Sequence, residues 1–294
     1  MTTLDATAAA DLFRSDPHDW LDVGAGEAAY RQVGSGPDVL FVHGWPVSGA
    51  TFRLLLPHLA EHVTCHVIDL PGAGDSRFDA DTAITFPQHV ESVRRVVDLL
   101  GLDDVAVVAH DSGGLIARHA LAGDPRLRAL GLMDTEQPHG LSPLFRAFLA
   151  TRHLPGLGRM LAWAFTTPAV RRNRFVLGGS FHDRSLLDGD FDAFFLRPLV
   201  EVPARRDACV RLLRSFETSY VDDLPQVHQR IGVPVQLVWG EDDPFFPVDW
   251  AREMVDTFAD ARLHAVAGAK LFAHEEHPAE VAAALLEVLS APRR

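Results

Sequence analysis

Val105-Ala106-Val107-Val108-Ala109-His110-Asp111-Ser112-Gly113-Gly114 is the stretch that decides the fold. Its apolar start, Val105 to Ala109, reads as a buried parallel strand. A polar triplet and two glycines follow, and then an amphipathic run from Leu115 to Ala122. Strand, sharp turn and helix in immediate succession is the geometry of a nucleophile elbow, where small residues must flank the nucleophile two positions either side. Centred on Asp111, the flanking residues are Ala109 and Gly113. Centred on Ser112, the window puts His110 where a small side chain is required. Asp111 is therefore the candidate nucleophile and Ser112 the poorer one. The bland alternative is an ordinary strand-to-helix turn with an exposed aspartate.

Outward from the elbow, strands and helices alternate. Trp20 to Val33, punctuated by Gly24 and Gly26, reads as two strands joined in a hairpin. Asp38 to Val42 is a further strand, ending at His43-Gly44-Trp45-Pro46. A helix is expected from Thr51 to Glu61, then a strand from Val63 to Leu70 ending in Pro71-Gly72-Ala73-Gly74-Asp75-Ser76. Pro87 to Leu100 has helical spacing of valines and leucines and is closed by Gly101. Strands follow at Ala129 to Met133, Val233 to Trp239 and Arg262 to Val266, the last two each followed by a helix (Val248 to Phe258; His277 to Leu289). This is the pattern of an α/β protein with a doubly wound, mostly parallel sheet. Between Gln137 and Val221 strand alternation stops, and Phe, Leu, Arg and Pro dominate. The expected division is a core, first part, over residues 1–136, a helical lid over 137–221, and a core, second part, over 222–294. A lid with apolar faces would suit a roof over a hydrophobic pocket, although most of its aromatics would serve simply to fix it to the core.

Composition narrows the classes. Net charge is -13 over 294 residues, which argues against nucleic acid or an anionic membrane as partner. Hydrophobic residues make up 47%, ample for a core, yet no run is long and charge-free enough to span a bilayer. Cys65 and Cys209 imply no disulfide framework, and the N-terminus lacks a basic start and apolar stretch, so a cytoplasmic protein is expected. No metal or cofactor motif is present. The expected partner is a hydrophobic small molecule, with a homodimer as a further possibility.

The elbow, the His43-Gly44-Trp45-Pro46 turn, the Pro71 to Ser76 turn and Gly240-Glu241-Asp242-Asp243-Pro244 occur in this order. Together they resemble the α/β-hydrolase superfamily, within it the aspartate-nucleophile branch of epoxide hydrolases and haloalkane dehalogenases. The resemblance covers about 25 to 135 and 225 to 290. It implies that Asp111 attacks an sp³ carbon to form an alkyl ester, which a histidine oriented by an acid then hydrolyses with water. It implies oxyanion donors at the backbone N–H groups of Trp45 and Ser112, and the acid at Asp243. Asp134 occupies the other position where some dehalogenases keep the acid, though a capping or surface aspartate is the commoner explanation there.

The pattern breaks at the base. Registered on Phe272, Glu276 and Pro278, the family's stretch puts Leu271 where the histidine belongs and Lys270 where a glycine belongs. Leucine cannot accept a proton. Three explanations compete. His274, one helical turn on, could reach the pocket as base. A histidine elsewhere could serve, His139 first and His182 next, with His43 and His110 more often structural in such turns. Or no imidazole acts, and Asp111 with Asp243 forms a carboxylate pair in an apolar pocket, able to do non-hydrolytic cyclase or isomerase chemistry. A ligand-binding protein without turnover is the further alternative. Two other departures bear on substrate. Ser112 stands where dehalogenases place a halide-holding tryptophan and where the fluoroacetate type has arginine. The epoxide-holding lid tyrosines have at most Tyr220 as a counterpart, Tyr30 lying in an early strand, unless Trp163 or a lid histidine substitutes.

Overall fold

The computed structural model describes residues 4–290. Eight strands form one sheet in the order β1-β2-β4-β3-β5-β6-β7-β8. They are β1 (Asp19–Asp22), β2 (Glu27–Gly34), β3 (Asp38–Val42), β4 (Thr64–Asp69), β5 (Val105–His110), β6 (Leu127–Met133), β7 (Val235–Gly240) and β8 (Ala261–Val266). The β1–β2 hairpin is antiparallel and joins antiparallel to β4, whereas β4, β3, β5, β6, β7 and β8 run parallel. Every residue of β4, β5, β6 and β7 is buried. This explains their near-continuous Val, Leu and Ala sequences: helices cover both faces of a parallel sheet, so neither face can be polar.

The strands lie where the alternation of apolar runs and turns puts them. One helix does not. The run expected from Thr51 to Glu61 is a 3₁₀ turn, Gly49–Phe52, and one α-turn, Leu56–Leu59. Pro57 lacks an N–H and fits only a first turn, so it divides the run. Between β6 and β7 the elements are helical, from Pro143–Ala150 through Leu157–Thr166 and Pro203–Arg214 to Leu224–Gln229. Four of the helices in this stretch begin on a proline, at 143, 168, 198 and 203, where the missing N–H costs nothing.

The junction of β5 with the helix Ser112–Leu121 positions Asp111. Its backbone sits at φ 51°, ψ -137°, a conformation that costs a non-glycine residue about 1–3 kcal/mol. Close packing around it enforces the turn. A Cβ on Gly44 would fall 2.5 Å from Asp111 Oδ2, and one on Gly113 would overlap the carbonyl oxygens of Val42 and His43. The elbow helix is thereby seated directly on the β3 loop. Gly113→Ala is expected to lower stability by about 1–3 kcal/mol through overpacking, visible as a lower urea midpoint at unchanged slope.

Candidate active site

Asp111 lies on the floor of a cavity of about 480 Å³ between the sheet's carboxyl edge and the helical segment. The lining is almost wholly apolar. Phe145, Phe148, Leu161 and Phe165 come from the helices, and Phe246 and Leu271 from the loops after β7 and β8. Met160, Trp163 and Phe175 line the cavity and are also exposed, and so form its mouth. Thr151 and Ser180 are the other polar lining side chains.

The carboxylate of Asp111 is split in its environment. The Trp45 N–H donates to Oδ2 at 2.8 Å, and the Ser112 N–H also favours the ionised form. Asp111 itself lines the cavity. Burial, and next the neighbouring carboxylate of Glu136, push the Asp111 carboxyl up to about 8. Thus a backbone donor holds one oxygen of a carboxyl whose apolar surroundings disfavour its charge.

Leu271 stands in the cavity wall, and its carbonyl accepts a hydrogen bond from His110 Nε2 at 2.8 Å. The position where an imidazole would face Asp111 is therefore hydrocarbon. His274 does not fill the role expected of it. It is fully buried, paired at Nε2 with Thr51 Oγ1 at 2.8 Å, packed on His110 with ring centroids 4.4 Å apart, and absent from the cavity wall. Burial, His110 and Arg53 hold it well below the usual imidazole range. Its helical turn is too short and too deep to swing the ring outward, because the next residue, Glu275, is anchored by a bidentate pair with Arg53 at 2.6 and 2.8 Å.

The other histidines are engaged elsewhere. His139 pairs with Glu253 at 2.8 Å and stacks on Trp250. His182 is exposed beside Asp242. His43 is neutral and structural: Nε2 accepts from the Leu70 N–H at 3.0 Å, so Nδ1–H donates to the Gly44 carbonyl. Tyr220 stacks on Phe86 at 4.0 Å and Tyr30 bonds His66, neither of them lining the cavity. The Trp45 indole donates to the Cys209 carbonyl at 3.0 Å.

The pair expected of Asp111 and Asp243 is not formed either. Asp243 accepts the Phe245 N–H at 2.8 Å and is buried outside the cavity wall. Its carboxyl neighbour is Asp134, whose Oδ1 accepts the Gly240 N–H at 2.8 Å. Asp134 Oδ2 and Asp243 Oδ2 are buried and receive no hydrogen bond from a described N–H or O–H group. Burial pushes Asp243 up to about 7, and burial with the Asp243 charge holds Asp134 well above the usual carboxylate range. Two such carboxyls are satisfied together by one shared proton.

The carboxylate that does face Asp111 is Glu136, which the sequence reading passed over. It lies two residues beyond Asp134, at the carboxyl end of the strand next to the elbow strand. That placement was the available signal. Glu136 is 2% exposed and, with Asp111 and Ser112, lines a second, smaller cavity of about 50 Å³. The two cavities share Trp45, Asp111, Phe145 and Phe148. Arg118, fully buried on the elbow helix, donates to Thr135 Oγ1 at 3.0 Å and to the Glu136 carbonyl at 2.8 Å. Burial raises the Glu136 carboxyl against the lowering effect of Arg118.

A family model described as the alpha/beta hydrolase fold matches residues 37–278. The chain belongs to the α/β-hydrolase fold family. This family member is 28% identical over 274 residues to the magnesium-chelatase 30 kDa subunit of Rhodobacter capsulatus, covering 91% of the chain and 90% of that protein. It is 33% identical over 176 residues to a pimeloyl-[acyl-carrier protein] methyl ester esterase of Stenotrophomonas maltophilia, covering 53% of the chain and 66% of the esterase. Among solved structures, the epoxide hydrolase CorEH superposes with a TM-score of 0.76 at 21% identity, over 92% of the chain and 97% of that structure. The haloalkane dehalogenase DbeA from Bradyrhizobium elkani superposes at 0.72 with 22% identity, over 90% and 94%. These two likenesses concern the fold. No helix among the described residues of this α/β-hydrolase is long and apolar enough to cross a membrane.

The raised Asp111 has a measurable consequence. The unfolded carboxyl titrates near its ordinary value of 3.8, the folded one at about 8. Between these values the folded state holds the extra proton, so this group's contribution to stability is present below the lower value and is lost as pH rises toward the upper one. Asp111→Asn keeps the shape and removes the titration. The stability gain of the variant over the parent is expected to grow between about pH 5 and about pH 8, measured by urea unfolding across that range.

Proposed function

We propose that this α/β-hydrolase acts on a hydrophobic small molecule with an electrophilic sp³ carbon, an epoxide in preference to an alkyl halide, and that Asp111 is the nucleophile. The observation that carries the proposal is the split environment of Asp111: Oδ2 held by the Trp45 N–H at 2.8 Å while the carboxyl lies at the floor of an apolar cavity. Oδ1 attacks carbon, the carbon–oxygen bond of the epoxide breaks, and an alkyl ester of Asp111 forms. Water then attacks Asp111 Cγ, and the oxyanion develops on Oδ2, to which the Trp45 N–H already donates. In this scheme the helices between β6 and β7 act as a lid, and the substrate passes the exposed Met160, Trp163 and Phe175.

Preference for an epoxide over a halide has a specific support. A departing halide needs an aimed N–H donor, and the Trp45 indole is committed to the Cys209 carbonyl while Ser112 follows the nucleophile. A second reading, ligand binding without turnover, draws on Leu271 in the place of the base. Intact-protein mass spectrometry with a panel of epoxides separates the two. The parent protein is expected to form diol, and Asp111→Asn to lose both diol formation and any covalent adduct, a fall of at least about 10⁴-fold, in the range seen when a catalytic nucleophile is removed. Unchanged turnover in Asp111→Asn would refute the proposal.

A further inference from the structure

We infer that Glu136 is the acid–base partner of Asp111, and that the small cavity the two share holds the hydrolytic water, so that a carboxyl pair does the work an imidazole does elsewhere in this fold. The inference rests on Asp111 being the nucleophile. It assigns Glu136 a catalytic role and makes an epoxide the substrate class the site can turn over with its own protons.

The Thr135 hydroxyl links the two residues. It lies 2.8 Å from the Asp111 carbonyl oxygen and 3.0 Å from Glu136 Oε2, and Arg118 Nη2 donates to it at 3.0 Å. A hydroxyl has one hydrogen and two lone pairs. The Gly114 N–H also donates to the Asp111 carbonyl, at 2.8 Å, so the Thr135 hydrogen can go to Glu136 when that carboxyl is ionised, or to the carbonyl when Glu136 is protonated and donates. The pair therefore carries one proton that either carboxyl can hold, and the reactive form is the one with that proton on Glu136 and Asp111 ionised. Burial and mutual repulsion favour the same singly protonated pair. The shared cavity of about 50 Å³ is roomy enough for a water molecule. It offers that water Glu136, Asp111 and Ser112 as polar neighbours, with Phe86, Phe145, Phe148 and Phe216 around them.

The protons then balance without a histidine. Asp111 Oδ1 forms a bond to the epoxide carbon, the ring carbon–oxygen bond breaks, and the new alkoxide takes the Glu136 proton. Glu136, now a carboxylate, removes a proton from water as the water oxygen bonds to Asp111 Cγ. Collapse of the tetrahedral intermediate breaks the bond from Cγ to the substrate oxygen. The departing oxygen takes the proton from Glu136, and the carboxyl of Asp111 carries the remaining proton of the water back to the pair. An epoxide opening thus leaves Glu136 in the form the water step needs. A halide leaves without a proton, and Glu136 must first discharge its own to solvent.

That difference provides the test. 1-Bromohexane esterifies Asp111 without an acid and isolates the water step; 1,2-epoxyhexane requires both steps. The parent, Glu136→Gln, Glu136→Asp and Asp111→Asn are compared by intact mass with peptide mapping and by alcohol or diol release, with thermal unfolding as the control for folding. In Glu136→Gln the hexyl ester is expected to accumulate on Asp111 and to clear at least about 100-fold more slowly than in the parent, the span of general acid–base catalysis. Adduct formation from the epoxide slows as well. Glu136→Asp, which keeps the charge but withdraws it by one methylene, is expected between the two and stands in if the glutamine variant fails to fold. Clearance at the parent rate in either Glu136 variant, with Asp111→Asn inert, would overturn the role of Glu136 and leave Asp111 standing. Absence of any Asp111 adduct and of any product with both probes would overturn the nucleophile and this inference with it.

Discussion

The hydrogen bond from the Trp45 N–H to Asp111 Oδ2, 2.8 Å long, ties together the elements on which the site depends. It joins the loop after β3 to the elbow after β5, and it exists only because Gly44 and Gly113 let those two backbones approach. The strained φ of Asp111 is held by this contact and by the packing beneath it. The parallel sheet below supplies the rigidity: β3, β5 and β6 are buried side by side, so the ends of the strands cannot drift apart. In α/β folds the ligand crevice forms at these carboxyl ends, and here the helices between β6 and β7 close over it.

Leu271 shapes the electrostatics of the floor, because its hydrocarbon brings neither charge nor proton donor to the cavity wall. With Leu271 in the cavity wall, no cation or proton donor of the usual kind faces Asp111. Its charge is opposed by burial and by Glu136, and its carboxyl is held up at about 8. The same logic recurs a few ångströms of chain away. Asp243 is buried beside Asp134, and both carboxyls are raised. In contrast, the carboxylate of Glu275 has the fork of Arg53 against both oxygens. Glu275 is thus matched by a guanidinium, whereas Asp111 and Asp243 each lie beside another carboxyl.

Much of the fold was legible in order along the chain. Apolar runs such as Val105 to Ala109 mark buried strands because a parallel sheet has no solvent face, and Gly101 and the prolines of the helical segment mark element ends. Asp111 was legible because the elbow constrains residue size at fixed spacing, and Leu271 because its neighbours Phe272, Glu276 and Pro278 keep their register. What failed was reach. His274 is one turn from Leu271 in sequence, yet its ring points to Thr51 and His110. Asp243 was paired with Asp111 on role alone, whereas its neighbour is Asp134. Glu136 went unread because nothing local distinguishes it from any polar residue following a strand.

The sequence by itself determined the order and type of the elements, the doubly wound sheet and the elbow. These follow from short-range rules: side-chain period, turn sterics and the size limits of a tight bend. Tertiary structure alone decided which charges share a space. That depends on lateral strand order, which sets β6 beside β5 and so Glu136 beside Asp111, and on burial, which raises both carboxyls. Neither quantity is a function of separation along the chain.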